Sequence, residues 1–159
     1  LQTGEAWFAG MKKIGAPATR RFHDDGTVPE GPDWIWVFGS NLQGRHGKGA
    51  AAVARDIFGA ERGLASGRTG RAYGIPTKRA PTMNPRDVLP LDQIQRSVEE
   101  FLEYARGHGE HRFFVTRVGC GLSGIPDAKV APMFASAPSN CSLPLPWREF
   151  FDEAELSVQ

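Results

Sequence analysis

The sequence predicts one α/β domain, a mixed and mostly parallel sheet with helices on both faces, and three observations lead there. A strand-like apolar run, a glycine-rich loop and a helix follow one another twice, with a further strand and a long amphipathic helix between the two units. The 159 residues suit a single domain large enough to bury a core without disulfide staples. Hydrophobic residues at 40% and charged residues at 23% are the proportions of a globular chain.

Residues 1–32 read as an irregular N-terminal extension, broken by Pro17, Gly26, Pro29, Gly31 and Pro32. Leu1 to Gly10 has neither a basic segment nor an apolar core, so no secretory signal is expected, and Met11-Lys12-Lys13 is a candidate natural start. The domain proper is placed at 33–150. Asp33 to Phe38 is a short aromatic and β-branched run, a buried strand. Gly49 to Phe58 is rich in helix formers and is closed by Gly59. A strand over Arg71 to Ile75 is expected to stop at Pro76. From Leu91 to Arg106, Ile94, Val98, Phe101, Leu102 and Ala105 recur at helical spacing. Arg112 to Val118 reads as a second buried strand; Asp127 is placed as the N-cap of a helix to about Ala135, and Ser142 to Pro144 as a short last strand. Residues 151–159 form a polar tail.

Nineteen Lys and Arg against eighteen Asp and Glu give a net charge of +1, no global pull toward nucleic acid. The distribution is uneven: Arg62, Arg68, Arg71, Lys78, Arg79 and Arg86 follow one another with no acid between them. That stretch is either a solvated loop surface or a positive field over an anion site. Cys120 and Cys141 have neither metal-ligand nor disulfide-framework spacing and read as free thiols of a cytoplasmic protein. No apolar run is long enough to span a membrane.

The first loop contains Gly39, Ser40, Asn41, Gly44, Arg45, His46, Gly47, Lys48 and Gly49 ahead of Ala50 and Ala51. Four glycines so close together cost backbone entropy, a cost usually met where a ligand must approach the main chain. Amides at the following helix N-terminus suit a phosphate, and Arg45 and Lys48 add charge. The Gly39-x4-Gly44 spacing matches a P-loop, but Arg45-His46 stands where Lys-Ser/Thr is needed, which argues against a nucleoside triphosphatase. The second loop, Gly119-Cys120-Gly121-Leu122-Ser123-Gly124, fits G-x-G-x-x-G literally, yet it lies late in the chain and lacks the ribose-binding acid of a dinucleotide fold. Two such loops at one sheet edge would clasp a diphosphate.

At these loops the chain resembles a macro domain, most closely the branch of DarG and the terminal ADP-ribose protein glycohydrolases. The matching residues are Asn41 with Gly44-Arg45-His46-Gly47-Lys48-Gly49-Ala50-Ala51, then Pro76-Thr77-Lys78, then Gly119-Cys120-Gly121-Leu122-Ser123-Gly124, in that order. The resemblance implies a three-layer α/β/α macro-domain-like fold and ADP-ribose, or an ADP-ribosylated substrate, as partner, with no cofactor and no metal. It implies Asn41 near the distal ribose, Thr77 and both loops at the ligand, and Lys78 as the residue that reacts with or contacts that ribose, so that any hydrolysis of an ADP-ribosyl linkage would run through Lys78 and Asn41. Hydrolases of this branch place an aspartate in the second loop, where this chain has Ser123, and a serine without a partner is no general base at neutral pH.

Two rival readings remain. One is a non-catalytic nucleic-acid or nucleotide-signal binder using the Arg62–Arg86 stretch. The other is a phosphatase acting on an ADP-ribose phosphate with His46 as the reacting group. His108 and His111 lie on a glycine-broken turn and make no convincing metal pair. Trp34, Trp36, Trp147, Tyr73 and Phe134 read as packing residues.

Overall fold

The computed structural model describes residues 18–158; the expectations for residues 1–17, including the candidate start at Met11, lie outside them. Six strands form the main sheet: β2 (Arg21–His23), β3 (Trp34–Asn41), β4 (Gly67–Thr69), β5 (Ala72–Lys78), β6 (Arg112–Val115) and β7 (Cys141–Pro144), in the order β2-β7-β6-β3-β5-β4. All neighbours are parallel except β4, which runs antiparallel to β5. A separate antiparallel ribbon joins β1 (Ala18–Thr19) to β8 (Ser157–Val158).

Strand alternation divides the apolar residues between two faces. Ile35, Val37, Tyr73, Ile75, Phe113 and Val115 turn to one side, with Ile94, Val98, Phe101 and Leu102 of α2 (Leu91–Gly107). Trp36, Phe38, Ala72 and Phe114 turn to the other, with Ala54 of α1 (Gly49–Ile57) and Phe58 just beyond it. Helices therefore cover both faces. The first cluster is the larger and is closed by α3 (Asp127–Val130), the 3₁₀ turn Ala131–Phe134 and the fully buried Trp147. In α2, Ile94, Val98, Phe101 and Leu102 are at most 2% exposed, and burial of such side chains is worth roughly 1.5–3 kcal/mol each. On the second face the Trp36 ring is stacked between Phe58 at 5.2 Å and Phe114 at 5.4 Å.

Several boundaries differ from the sequence expectation, each for a physical reason. β5 runs through Pro76 to Lys78 instead of stopping before the proline. β4 pairs with Ala72 to Gly74 and the next bridge joins Lys78 to Val88, so Pro76 falls in the gap between them, where no ladder bond is lost with its N–H. Arg21–His23, inside the supposed irregular extension, pairs with β7 as an edge strand of the sheet. The supposed tail is likewise tied down: Phe151 is buried and Ser157 pairs with Thr19. Arg20 locks this end, donating from Nε to the Glu155 carbonyl and from Nη1 and Nη2 to those of Ala137 and Ala135. β6 ends at Val115, three residues early, and Pro132 tightens the expected helix from Asp127 into α3 plus a 3₁₀ turn. No helix among the described residues is long and apolar enough to cross a membrane.

Candidate functional site

In a parallel sheet, loops leaving the C-terminal ends of the strands gather at one edge, and a crevice opens where adjacent strands send their connections to opposite faces. β3 and β6 are such a pair: the chain leaves β3 for α1 on one face and leaves β6 for α3 on the other. A cavity of about 490 Å³ lies there. Its walls include Gly39, Ser40, Asn41, Gly47, Lys48 and Gly49 from the first loop, Thr77 and Lys78 from the end of β5, and Gly119, Gly121, Leu122 and Ser123 from the second loop. Pro81, Thr82 and Met83 close the outer side. Residues far apart in sequence thus meet because their strands are adjacent.

The two loops approach closely. A Cβ on Gly39 would lie 3.3 Å from the Gly119 amide nitrogen and 3.4 Å from Thr77 Oγ1, so even a methyl group there would press the two loops apart by a few tenths of an ångström. Gly44 adopts φ +66°, and a Cβ there would fall 2.4 Å from the Gly63 backbone. Asn41 clamps the same turn: its Nδ2 donates to the Arg45 carbonyl at 2.8 Å, and its Oδ1 accepts from the Arg45 amide at 3.3 Å. Both ends of the Asn41 amide therefore serve the loop, although the residue also lines the cavity. In the second loop, Ser123 Oγ lies 2.9 Å from Thr77 Oγ1, which in turn donates to the Ser40 carbonyl at 3.4 Å.

Charge on the walls is of one sign. Arg45, Lys48, Lys78 and Arg117 line this cavity, and no Asp or Glu among the described residues does. The first amides of α1 lie at the same wall, where a helix leaves its donors unsatisfied and carries partial positive charge. Lys78 Nζ donates to the Thr82 carbonyl at 2.7 Å, which holds the lysine against the 79–84 loop.

A second cavity of about 380 Å³ adjoins the first and shares Gly49, Ala50, Thr116, Arg117 and Gly121 with it. Its character differs: His23, Trp36 and Phe114 give it aromatic surface, Val28 and Val53 apolar surface, and Asp24 and Asp25 carboxylates. The His23 ring stacks on Phe114 at 3.6 Å, with Nδ1 2.7 Å from Ser142 Oγ. Burial pushes this imidazole down from 6.5 to about 4. The native state then binds fewer protons than the unfolded chain between those values, so the His23 contribution is complete above pH 6.5 and is lost as pH falls toward 4. Urea midpoints measured across that window are expected to fall with pH in the native sequence and to fall less steeply in His23→Phe.

Arg117 occupies the junction of the two cavities. Its Nε and Nη2 donate to the two oxygens of Asp127 at 3.0 and 2.6 Å, and its Nη1 donates to Asp25 at 3.3 Å. Trp147 Nε1 also donates to Asp127 Oδ1, at 2.7 Å. The hydrogen bonds from Arg117 hold the Asp127 carboxyl below the usual range. Asp127 is therefore not the N-cap of α3, where Pro126 stands; it is the anchor of the arginine. Sequence reading missed Arg117, although an arginine two residues before a glycine loop and ten before an acid was a usable signal.

Not every expected residue reaches the cavity. Gly44, Cys120 and Gly124 lie in the loops but off its walls. His46 is 4% exposed, packs edge-on against Phe38, and donates from Nε2 to the Glu61 carbonyl at 3.0 Å. A phosphatase step through His46 has no geometry here. Of the basic stretch, Arg68 donates to the Gly70 carbonyl and Tyr104 Oη, and Arg71 lies over the Phe58 ring. Only Lys78 of that group lines the cleft. Burial pushes the thiols of Cys120 and Cys141 up to about 12, and both are free.

Fold and site together define an α/β protein with a two-chambered cleft at the C-terminal edge of a mostly parallel sheet, one chamber cationic and the other aromatic. No model of a known protein family matches the chain, and no curated protein matches it significantly.

Proposed function

We propose that the cleft binds ADP-ribose or a closely related nucleotide derived from NAD. The observation that carries this reading is the pairing of the chambers: a cavity with four cationic side chains and no acid opens directly onto one with aromatic surface and two carboxylates. A dinucleotide-type ligand has that same division, with phosphates and a polar ribose at one end and a flat base bearing an exocyclic amine at the other. Trp36 and Phe114 are already stacked with their neighbours, so the half-buried His23 ring on Phe114 is the one that offers the base a face, and Asp24 or Asp25 can accept from its amine. The motif resemblance at Asn41, Pro76-Thr77-Lys78 and the second loop supports the same ligand.

Binding is the primary activity in this reading. Ser123 is hydrogen-bonded to Thr77 and has no histidine or carboxylate beside it, and Asp127 is committed to Arg117 and Trp147. Lys48 and Lys78 both bring an amine to the first cavity, and Lys78 is the one that the Pro76-Thr77-Lys78 resemblance sets at the distal ribose. Calorimetric titration with ADP-ribose, with AMP and NAD as controls, is expected to give micromolar or tighter binding selective for ADP-ribose. Absence of binding to all three would remove the reading. Release of ADP-ribose from a modified substrate would add turnover, and its loss in Lys78→Ala with binding retained would assign the chemistry to Nζ.

A further inference from the structure

We infer that Arg117 is the residue that reads the anionic link of a two-lobed ligand, and that Asp25 occupies its free edge until that ligand arrives. The inference rests on the nucleotide reading of the cleft and names the side chain that selects for charge at its centre. Arg117 lines both cavities, so a ligand filling both must pass its guanidinium. Gly49 and Ala50, at the N-terminus of α1, line the same junction. Their amides have no partner within the helix. A negatively charged link between two lobes is the chemistry that a cation and free amides at the shared wall of two cavities favour, and a diphosphate is its simplest form.

The two acids around Arg117 are not equivalent. Asp127 grips Nε and Nη2 at 3.0 and 2.6 Å; its side chain is 22% exposed and is held in turn by Trp147. That contact fixes the plane of the guanidinium, which keeps it pre-set for a ligand. Asp25 makes one longer contact, 3.3 Å to Nη1, from a side chain 47% exposed. A guanidinium has five N–H donors, so these three bonds leave donors to spare, and a phosphate oxygen can take over the Nη1 edge. Asp25 competes with the ligand for that edge and repels its charge.

Titrations with inorganic pyrophosphate, ADP-ribose and adenosine separate this role from a structural one. Arg117→Gln, made together with Asp127→Asn so that the less exposed of its two carboxylates does not lose its partner, is expected to weaken pyrophosphate and ADP-ribose on the order of 10- to 100-fold and adenosine less than about 3-fold. Asp25→Asn is expected to tighten pyrophosphate by roughly 3-fold. Equal loss for all three ligands would show that Arg117 only braces the neck and would overturn the inference, as would unchanged pyrophosphate affinity. If the native protein binds pyrophosphate but not ADP-ribose, the function proposed above fails while the arginine assignment stands on the variant's loss. If it binds neither, both fall.

Discussion

Gly121→Phe is expected to fold normally and to lose ADP-ribose affinity by about 100-fold or more, because the new ring fills the neck of the cleft. Gly121 lines both cavities, so a side chain there stands in the path of any ligand that spans them. Its backbone is outside the positive-φ group, and a Cβ at this position meets no atom within 4 Å. The substitution therefore starts from an unstrained backbone with its Cβ in open space. Thermal denaturation within about 2 °C of the native protein, beside a flat ADP-ribose titration, is the expected pair of results. Full affinity in this variant would mean that the ligand does not cross the neck.

Gly44→Ala carries the largest expected effect on stability. The residue sits at φ +66°, where a Cβ costs roughly 1–2 kcal/mol. That Cβ would also stand 2.4, 2.6 and 2.7 Å from the C, Cα and N atoms of Gly63, and relieving such crowding costs roughly 1–3 kcal/mol more. The Gly63 amide donates to the Gly44 carbonyl at 2.9 Å, so moving one loop away from the other breaks a hydrogen bond as well. A fall in melting temperature of roughly 5–15 °C is expected. Gly47→Ala is the control: nothing lies within 4 Å of its Cβ and its φ is not positive, so a change of about 1 °C is expected there. Equal melting temperatures for the two variants would show that the first loop is not held against Gly63 as described.

These two glycines show how far the sequence could be read. The spacing of Gly39, Gly44, Gly47 and Gly49 before a helix signalled a loop with a purpose, and the strand–loop–helix order placed that loop at a sheet edge. It could not separate Gly44, needed because another backbone passes within touching distance, from Gly121, open to the cavity. That distinction depends on residue 63, which tertiary packing brings against Gly44 while nothing comes within 4 Å of a Cβ at Gly121. The central elements were legible because each carries a full period of apolar residues: Ile35 to Phe38 in β3, Ile94 to Ala105 in α2 and Phe113 to Val115 in β6. The short edge elements were not. Arg21–His23 and Gly67–Thr69 have three residues each, and they are strands because β7 and β5 offer them a ladder. His46 looked like a ligand group from its loop, yet the turn between Asn41 and Arg45 puts its ring beside Phe38. Arg117 escaped notice because its meaning comes from Asp25 and Asp127, which lie 92 and 10 residues away.

Backbone amide NMR of the native protein, recorded as ADP-ribose is added, tests the central claim most directly. Saturable shifts are expected in the amides of 47–51, 119 and 121–123, which line the cationic chamber, and in 23–28, which line the aromatic one. Shifts confined to exposed positions of the 62–86 stretch and falling steeply with salt, with both glycine loops silent, would contradict it and would assign the protein to nonspecific phosphate binding on its basic surface.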